Sequence, residues 1–240
     1  MTSNDWPTER IVAAKNAPGL AQYWAATAEA VPEFTPEEQR VAVTLYRELA
    51  KGKPVNAEQL ARALGVVTEK ARELLGRQSI KAFVYPDEQG RVLGFGGLAA
   101  APMHHKFAVD GRTLWTWCAW DSLFIPEILG QAARVESPDP ETGQVVRLTV
   151  TPEGVESADP EIVVSFLLPD SSEFEKSAAN VMATFCHFVF FFASRESGER
   201  WAAKHAGTFL YSLDEAVELA RRLNAKMFGY ELAQRSTRTP

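Results

Sequence analysis

Apolar positions recur at helical spacing through the first third of the chain. Ile11, Val12, Leu20, Tyr23 and Trp24 are loosely spaced for helices in an alanine-rich stretch broken at Pro18-Gly19. Val41, Leu45 and Leu49 then fall on one helical face. Thr35 is placed to cap that helix, Pro36 to be its first residue and Glu38 to complete a capping box. Lys51-Gly52 and Pro54 end it. Asn56 is expected to cap a second helix through Leu60 and Leu64, with Gly65 just past its end. Thr68 is expected to cap a third, with Ala71, Leu74 and Leu75 inward. The period then changes from helical to strand-like. Residues 80–85 and 91–95 flank a turn at 86–90, the pattern of a β-hairpin.

Beyond residue 103 the pattern is mostly that of strands. Asp110-Gly111 is a hairpin turn between two apolar segments. Residues 133–137, 145–150, 162–168 and 185–192 read as strands from their β-branched and aromatic content. Helices are expected from about Cys118 to Leu129 with Gly130 as the stop, from Ser194 through Trp201, and from Ser212 onward with Glu215 as capping partner. His205 marks the end of the helix through Trp201. The whole is an α+β chain. It reads as a helical extension over 1–34, a winged-helix-like module of three helices and a hairpin over 35–98, and a mixed α/β domain with mainly antiparallel strands over 99–240. The Gly96-Gly97 to Pro102 stretch is the natural boundary.

A winged helix is best known for reading DNA with its third helix. Between Lys53 and Arg91, seven lysines and arginines stand against five acidic residues. That surplus is thin for neutralising several phosphates. The whole chain carries a net charge of −6, which also argues against nucleic acid as a partner. The start lacks the basic and apolar regions of a signal peptide. The longest apolar run falls far short of the roughly 20 residues that span a membrane. A cytoplasmic protein with two free thiols is the expectation.

Those two thiols are the candidate chemistry. Cys118 lies among Trp115, Trp117 and Trp120, with Asp121 three residues on. If a helix begins at Cys118, the two side chains share a face. A thiol at a helix N-terminus would have a lowered pKa, and a carboxyl among tryptophans a raised one. The alternative is a buried core cysteine beside an aspartate that complements the helix dipole. Cys186 has the same two readings: core residue, or second sulfur of a soft-metal site. His187 is expected to alternate to the opposite face from Cys186. His104-His105 reads as a surface pair. Phosphate-loop, dinucleotide and nucleophile-elbow motifs are missing from the sequence.

The stretch Leu-Trp-Thr-Trp-Cys-Ala-Trp-Asp-Ser-Leu-Phe-Ile-Pro-Glu-Ile-Leu-Gly at 114–130 resembles the alkylmercury (organomercurial) lyase family. So do residues 133–137, the Phe-Cys-His-Phe-Val-Phe-Phe-Phe-Ala-Ser run at 185–194, residues 45–55 and the tail at 235–240. The resemblance covers about residues 35–240. It implies protonolysis of a carbon–mercury bond, giving a hydrocarbon and Hg(II). The family's catalytic cysteines fall on Cys118 and Cys186, and its catalytic aspartate on Asp121. Family members often carry a further cysteine in the turn region where this chain has Ser137 to Thr142, and some carry one where His187 stands. The resemblance also implies Hg(II) held by Cys118, Cys186 and Asp121 as product, no resident cofactor, low-molecular-weight thiols for turnover, and hand-off of Hg(II) to a mercuric reductase. Two other readings stay open at this point: a metal-responsive winged-helix sensor, and a thiol-based metal carrier without turnover.

Overall fold

The computed structural model describes residues 17–236. The expected helical positions Ile11 and Val12, and the end of the tail, lie outside the described residues. Helix α1 (Leu20–Ala30) buries Tyr23, Thr27 and Ala30. Helix α2 (Pro36–Leu49) starts with the expected capping box: the Thr35 hydroxyl accepts from Glu38 N–H, and the Glu38 carboxylate accepts from Thr35 N–H. Helix α3 (Ala57–Leu64) is capped by Asn56 and stopped by Gly65 in the left-handed conformation. Helix α4 (Thr68–Gly76) departs from expectation at its start. Val67 is the capping residue, Thr68 is already helical, and no side chain caps it. A short helix α5 (Gln78–Lys81) takes Ile80 out of the expected hairpin, which reduces to β1 (Val84–Pro86) and β2 (Val92–Phe95).

The chain then enters β3 (Leu98–Ala99), β4 (His105–Val109) and β5 (Arg112–Thr116). Asp110 and Gly111 both have positive φ (47° and 70°), the backbone a tight two-residue hairpin turn needs. Helix α6 (Asp121–Leu129) follows, stopped by left-handed Gly130. Strands β6 (Ala133–Pro138), β7 (Val145–Thr151) and β8 (Gly154–Ser157) complete an eight-stranded antiparallel sheet of order β1-β2-β3-β5-β4-β6-β7-β8. This sheet runs straight through the expected boundary: Gly94 and Phe95 pair with Ala99 and Leu98, which pair in turn with Trp115 and Thr116.

Strand β9 (Val163–Leu167) centres a second, three-stranded sheet. After it come short helices α7 (Ser171–Phe174) and α8 (Ala178–Thr184), then a single 3-10 turn, Cys186–Phe188. The expected strand over 185–192 therefore shrinks to β10 (Phe191–Phe192). Ser177 caps α8 by accepting from Asn180 N–H, and the helix carries the chain to Cys186. The aromatic content there reflects burial rather than extended backbone. Helix α9 (Arg195–Ala202) is capped by Ser194 as expected, and β11 (Thr208–Ser212) closes the second sheet. Helix α10 (Leu213–Ser236) packs on α2 and α6. Its Asn224, fully buried, donates to Phe124 O and to the Glu127 carboxylate, which fixes α10 against α6. No helix among the described residues is long and apolar enough to cross a membrane.

Candidate active site

Trp117, Cys118, Ala119 and Trp120 lie in the connection between β5 and α6, so the expected helix start at Cys118 moves to Asp121. Cys118 and Asp121 still meet, by a different device. The Asp121 carboxylate turns back and accepts the Cys118 backbone N–H at 2.8 Å. The Thr116 hydroxyl donates to Cys118 O from the other side. The connection is thus held by its own polar side chains before any helix begins.

The second cysteine reaches the same place through the 3-10 turn. Ala119 N–H donates to Val189 O at 3.0 Å, and Val189 N–H donates to Cys186 O. The two cysteine segments are thereby joined backbone to backbone. Ser165, buried in β9, holds the far side of the turn: its hydroxyl donates to Phe188 O and accepts Phe190 N–H. Each backbone group of the turn that is satisfied this way is one that burial would otherwise penalise. The result is a cluster in which the two sulfurs and an Asp121 oxygen all lie within 4.8 Å of one another.

Burial sets the protonation of this cluster. Desolvation pushes the Asp121 carboxyl up to about 7, although hydrogen bonds from the Cys118 thiol and backbone pull it down. Desolvation likewise pushes the Cys118 thiol well above its ordinary value, helped by its hydrogen bond to Cys186. For Cys186 that hydrogen bond is the largest influence and lowers its pKa, but burial and the nearby Asp121 charge carry it above ordinary. The lowered thiol pKa expected from a helix N-terminus is therefore reversed. The helix starts three residues late, and the site is too dry to favour thiolate. Both sulfurs rest as thiols, beside a carboxyl poised near neutrality.

Gly97 supports the carboxylate from behind. Its φ is +100°, and a Cβ placed on it would fall 2.4 Å from Asp121 Cγ. Trp117 N–H donates to Gly97 O, and the buried Tyr46 hydroxyl donates to Gly96 O at 2.6 Å. Replacing Gly97 by Ala combines a disfavoured backbone conformation with a clash. It should destabilise the protein by more than about 1 kcal/mol, read by urea unfolding, and move the Asp121 titration away from neutrality. A variant as stable as the parent with an unmoved titration would show that Gly97 does not shape the site.

A cavity opens onto this cluster. Cys186, Asp121 and Gly97 line it together with Trp117, Trp120 and a surround of phenylalanines and aliphatic side chains. Cys186 reaches the lining, whereas Cys118 is fully buried behind it.

Among the other histidines, His104 is exposed but His105 is fully buried, its Nδ1 2.8 Å from the Ser137 hydroxyl. The surface pair expected there splits because β4 begins at His105 with that side chain inward, while His104 precedes the strand. His187 is exposed on the 3-10 turn and turns away from the cluster, not through strand alternation but because the turn points it to solvent. His205 follows α9, stacked on Trp201 at 3.9 Å. In the sequence Gly97 stands only as part of the expected boundary, and Ser165 does not stand out. The one available signal for Ser165 is a hydroxyl inside an otherwise apolar strand.

Fold and site together define a class: a mixed α+β protein with antiparallel sheets, built around a buried pair of thiols and a carboxyl. Residues 98–225 match the family described as alkylmercury lyase (MerB). The chain is 38% identical over 183 residues to the alkylmercury lyase of Staphylococcus epidermidis, covering 76% of this chain and 80% of that one. It is 39% identical over 180 residues to that of Streptomyces lividans, covering 75% and 79%. It is 38% identical over 204 residues to that of Pseudomonas putida, covering 84% and 91%. The crystal structure of the mercury-bound form of MerB2 shares the fold, with a TM-score of 0.67 at 19% identity over 88% of this chain and 98% of that chain. The chain belongs to the alkylmercury lyase family and is an enzyme. Cys118, Asp121 and Cys186 all fall inside the stretch that matches the family.

Proposed function

We propose that this enzyme cleaves the carbon–mercury bond of organomercurials by protonolysis, with Cys118, Cys186 and Asp121 as its catalytic residues. The observation that carries this reading is the convergence of two thiols and one carboxyl within 4.8 Å at the end of an apolar cavity. Mercury is soft and prefers sulfur. The cavity's aromatic and aliphatic walls suit an organic group and exclude water.

The chemistry balances on these three side chains. Cys186 lines the cavity and meets the mercury of R–Hg–X first. Its sulfur displaces X, and its proton leaves with X. Cys118 then adds to mercury while its proton passes to the Asp121 carboxylate. The second sulfur pushes electron density onto the carbon, and Asp121 returns that proton to it. The C–Hg bond breaks, R–H departs, and Hg(II) remains between the two sulfurs with Asp121 beside it. Mercury is substrate and product; the scheme calls on no resident cofactor. A carboxyl poised near neutrality is suited to take a proton in one step and give it up in the next. Low-molecular-weight thiols of a reducing cytoplasm then remove Hg(II), and a mercuric reductase is the natural recipient.

The test is incubation of reduced protein with phenylmercury and excess thiol, with benzene measured in the headspace. Benzene in proportion to enzyme and time is the expected result. Folded, reduced protein that binds Hg(II) but yields no benzene would instead favour a metal carrier on this fold.

A further inference from the structure

The cavity lining has two origins. Its chemical end comes from the connection before α6, from the 3-10 turn and from Gly97. Part of the remainder comes from the two ends of the chain: Val31 and Phe34 from the α1–α2 linker, and Leu223, Met227 and Phe228 from α10. Phe34 and Phe228 touch, with ring centroids 5.9 Å apart. Apart from Leu223, these residues lie outside the stretch that matches the family.

One buried side chain fastens the two pieces together. Gln39 of α2 donates its amide N–H to Phe34 O at 3.2 Å. Its Oε1 accepts Tyr230 N–H at 3.0 Å and Glu231 N–H at 3.2 Å. Those are two N–H groups well inside α10, which a regular helix would give to its own carbonyls. Gln39 is buried, so its amide is committed to these bonds rather than to water. The bonds span more than 190 residues of sequence and sit beside the Phe34–Phe228 contact.

We propose that Phe34 and Phe228 form the specificity wall for the substrate's organic group, with Gln39 as the positioning residue that keeps this wall closed. The inference rests on the carbon–mercury reading of the site. Carbon must lie beside Asp121 to be protonated, so the rest of the organic group projects into the apolar lining. A methyl group ends near the mercury. A two-ring aryl group extends into the lining and meets the wall. Removal of one ring from the wall leaves space of about the size of an aryl ring.

The experiment compares kcat/KM for methylmercury and for 1-naphthylmercury in the intact enzyme, its Phe34→Ala and Phe34→Leu variants, and Gln39→Leu. The naphthyl-to-methyl ratio should rise about tenfold in Phe34→Ala, within the range that a change of pocket size commonly produces. It should rise less in Phe34→Leu. Gln39→Leu should shift the ratio in the same direction, because it frees Phe34 without removing its ring. A merely structural role would lower both substrates together and leave the ratio unmoved, and that result in the two Phe34 variants would overturn the proposal. Failure of the underlying reading is distinguishable, since the parent enzyme would then release neither methane nor naphthalene.

Discussion

Asp121→Asn should lower hydrocarbon release by about a thousandfold or more, in line with loss of a positioned general acid. The substitution is chosen to keep geometry. The asparagine carbonyl oxygen can still accept the Cys118 N–H that the carboxylate accepts at 2.8 Å, so the connection before α6 stays in place. What it cannot do is carry a proton from sulfur to carbon. Binding of Hg(II) by the two sulfurs should therefore persist, read by ultraviolet thiolate–mercury absorption, while benzene production collapses. A rate within tenfold of the parent would remove Asp121 from the proton path.

The same substitution has a signature in stability. The Asp121 carboxyl stands at about 7 when folded, against an ordinary value of 3.8. Between those values the folded protein binds a proton that the unfolded chain does not, so stability falls as pH rises through this window. The stabilisation is complete below the unfolded value and gone above the folded one. Asp121→Asn removes a carboxylate that must ionise in a dry site. Urea unfolding at about pH 5 and about pH 8 should show a flatter dependence for the variant, by on the order of a few kcal/mol.

Four of the ten helices among the described residues were legible in the sequence because their ends are written in side chains. Thr35 with Glu38, Asn56 with Gly65, Ser194, and Ser212 with Glu215 all cap where their types predict. Thr68 misled because the same residue type is tolerated inside a first turn, and Val67 occupies the capping position without a side-chain bond. The run from Phe185 to Phe192 misled for a deeper reason. Phenylalanine density reports a dry environment, and here the dry environment surrounds a 3-10 turn as well as a strand. Cys118, Asp121 and Cys186 stood out as candidates in the sequence, but only the resemblance assigned them catalytic roles, since a cysteine and an aspartate three apart fit a core reading better on spacing alone. Only tertiary structure could show that Ala119 and Val189 join their backbones, and that burial reverses the expected thiol shift. Gln39 was invisible to pattern analysis: a glutamine on an amphipathic helix reads as surface until α10 is seen to cross it.

Cys118→Ser and Cys186→Ser should each lower hydrocarbon release by about a thousandfold or more, because a hydroxyl is a hard, weakly acidic replacement for a sulfur that must bind mercury. The two variants should nevertheless fail at different points. Cys186 lines the cavity, so Cys118→Ser retains the thiol that meets mercury first. It should take up one R–Hg group and stall, and intact-protein mass spectrometry should detect the adduct within the parent's turnover time. In Cys186→Ser the remaining thiol is fully buried behind the lining, and its pKa is pushed well above ordinary by that burial. Its adduct should therefore form much more slowly at neutral pH and accelerate as pH rises. Equal rates of adduct formation in the two variants would contradict the assigned order of attack while leaving the need for both sulfurs intact. Full activity in either would contradict both, because a single sulfur cannot both anchor mercury and donate the second electron pair that makes the carbon basic.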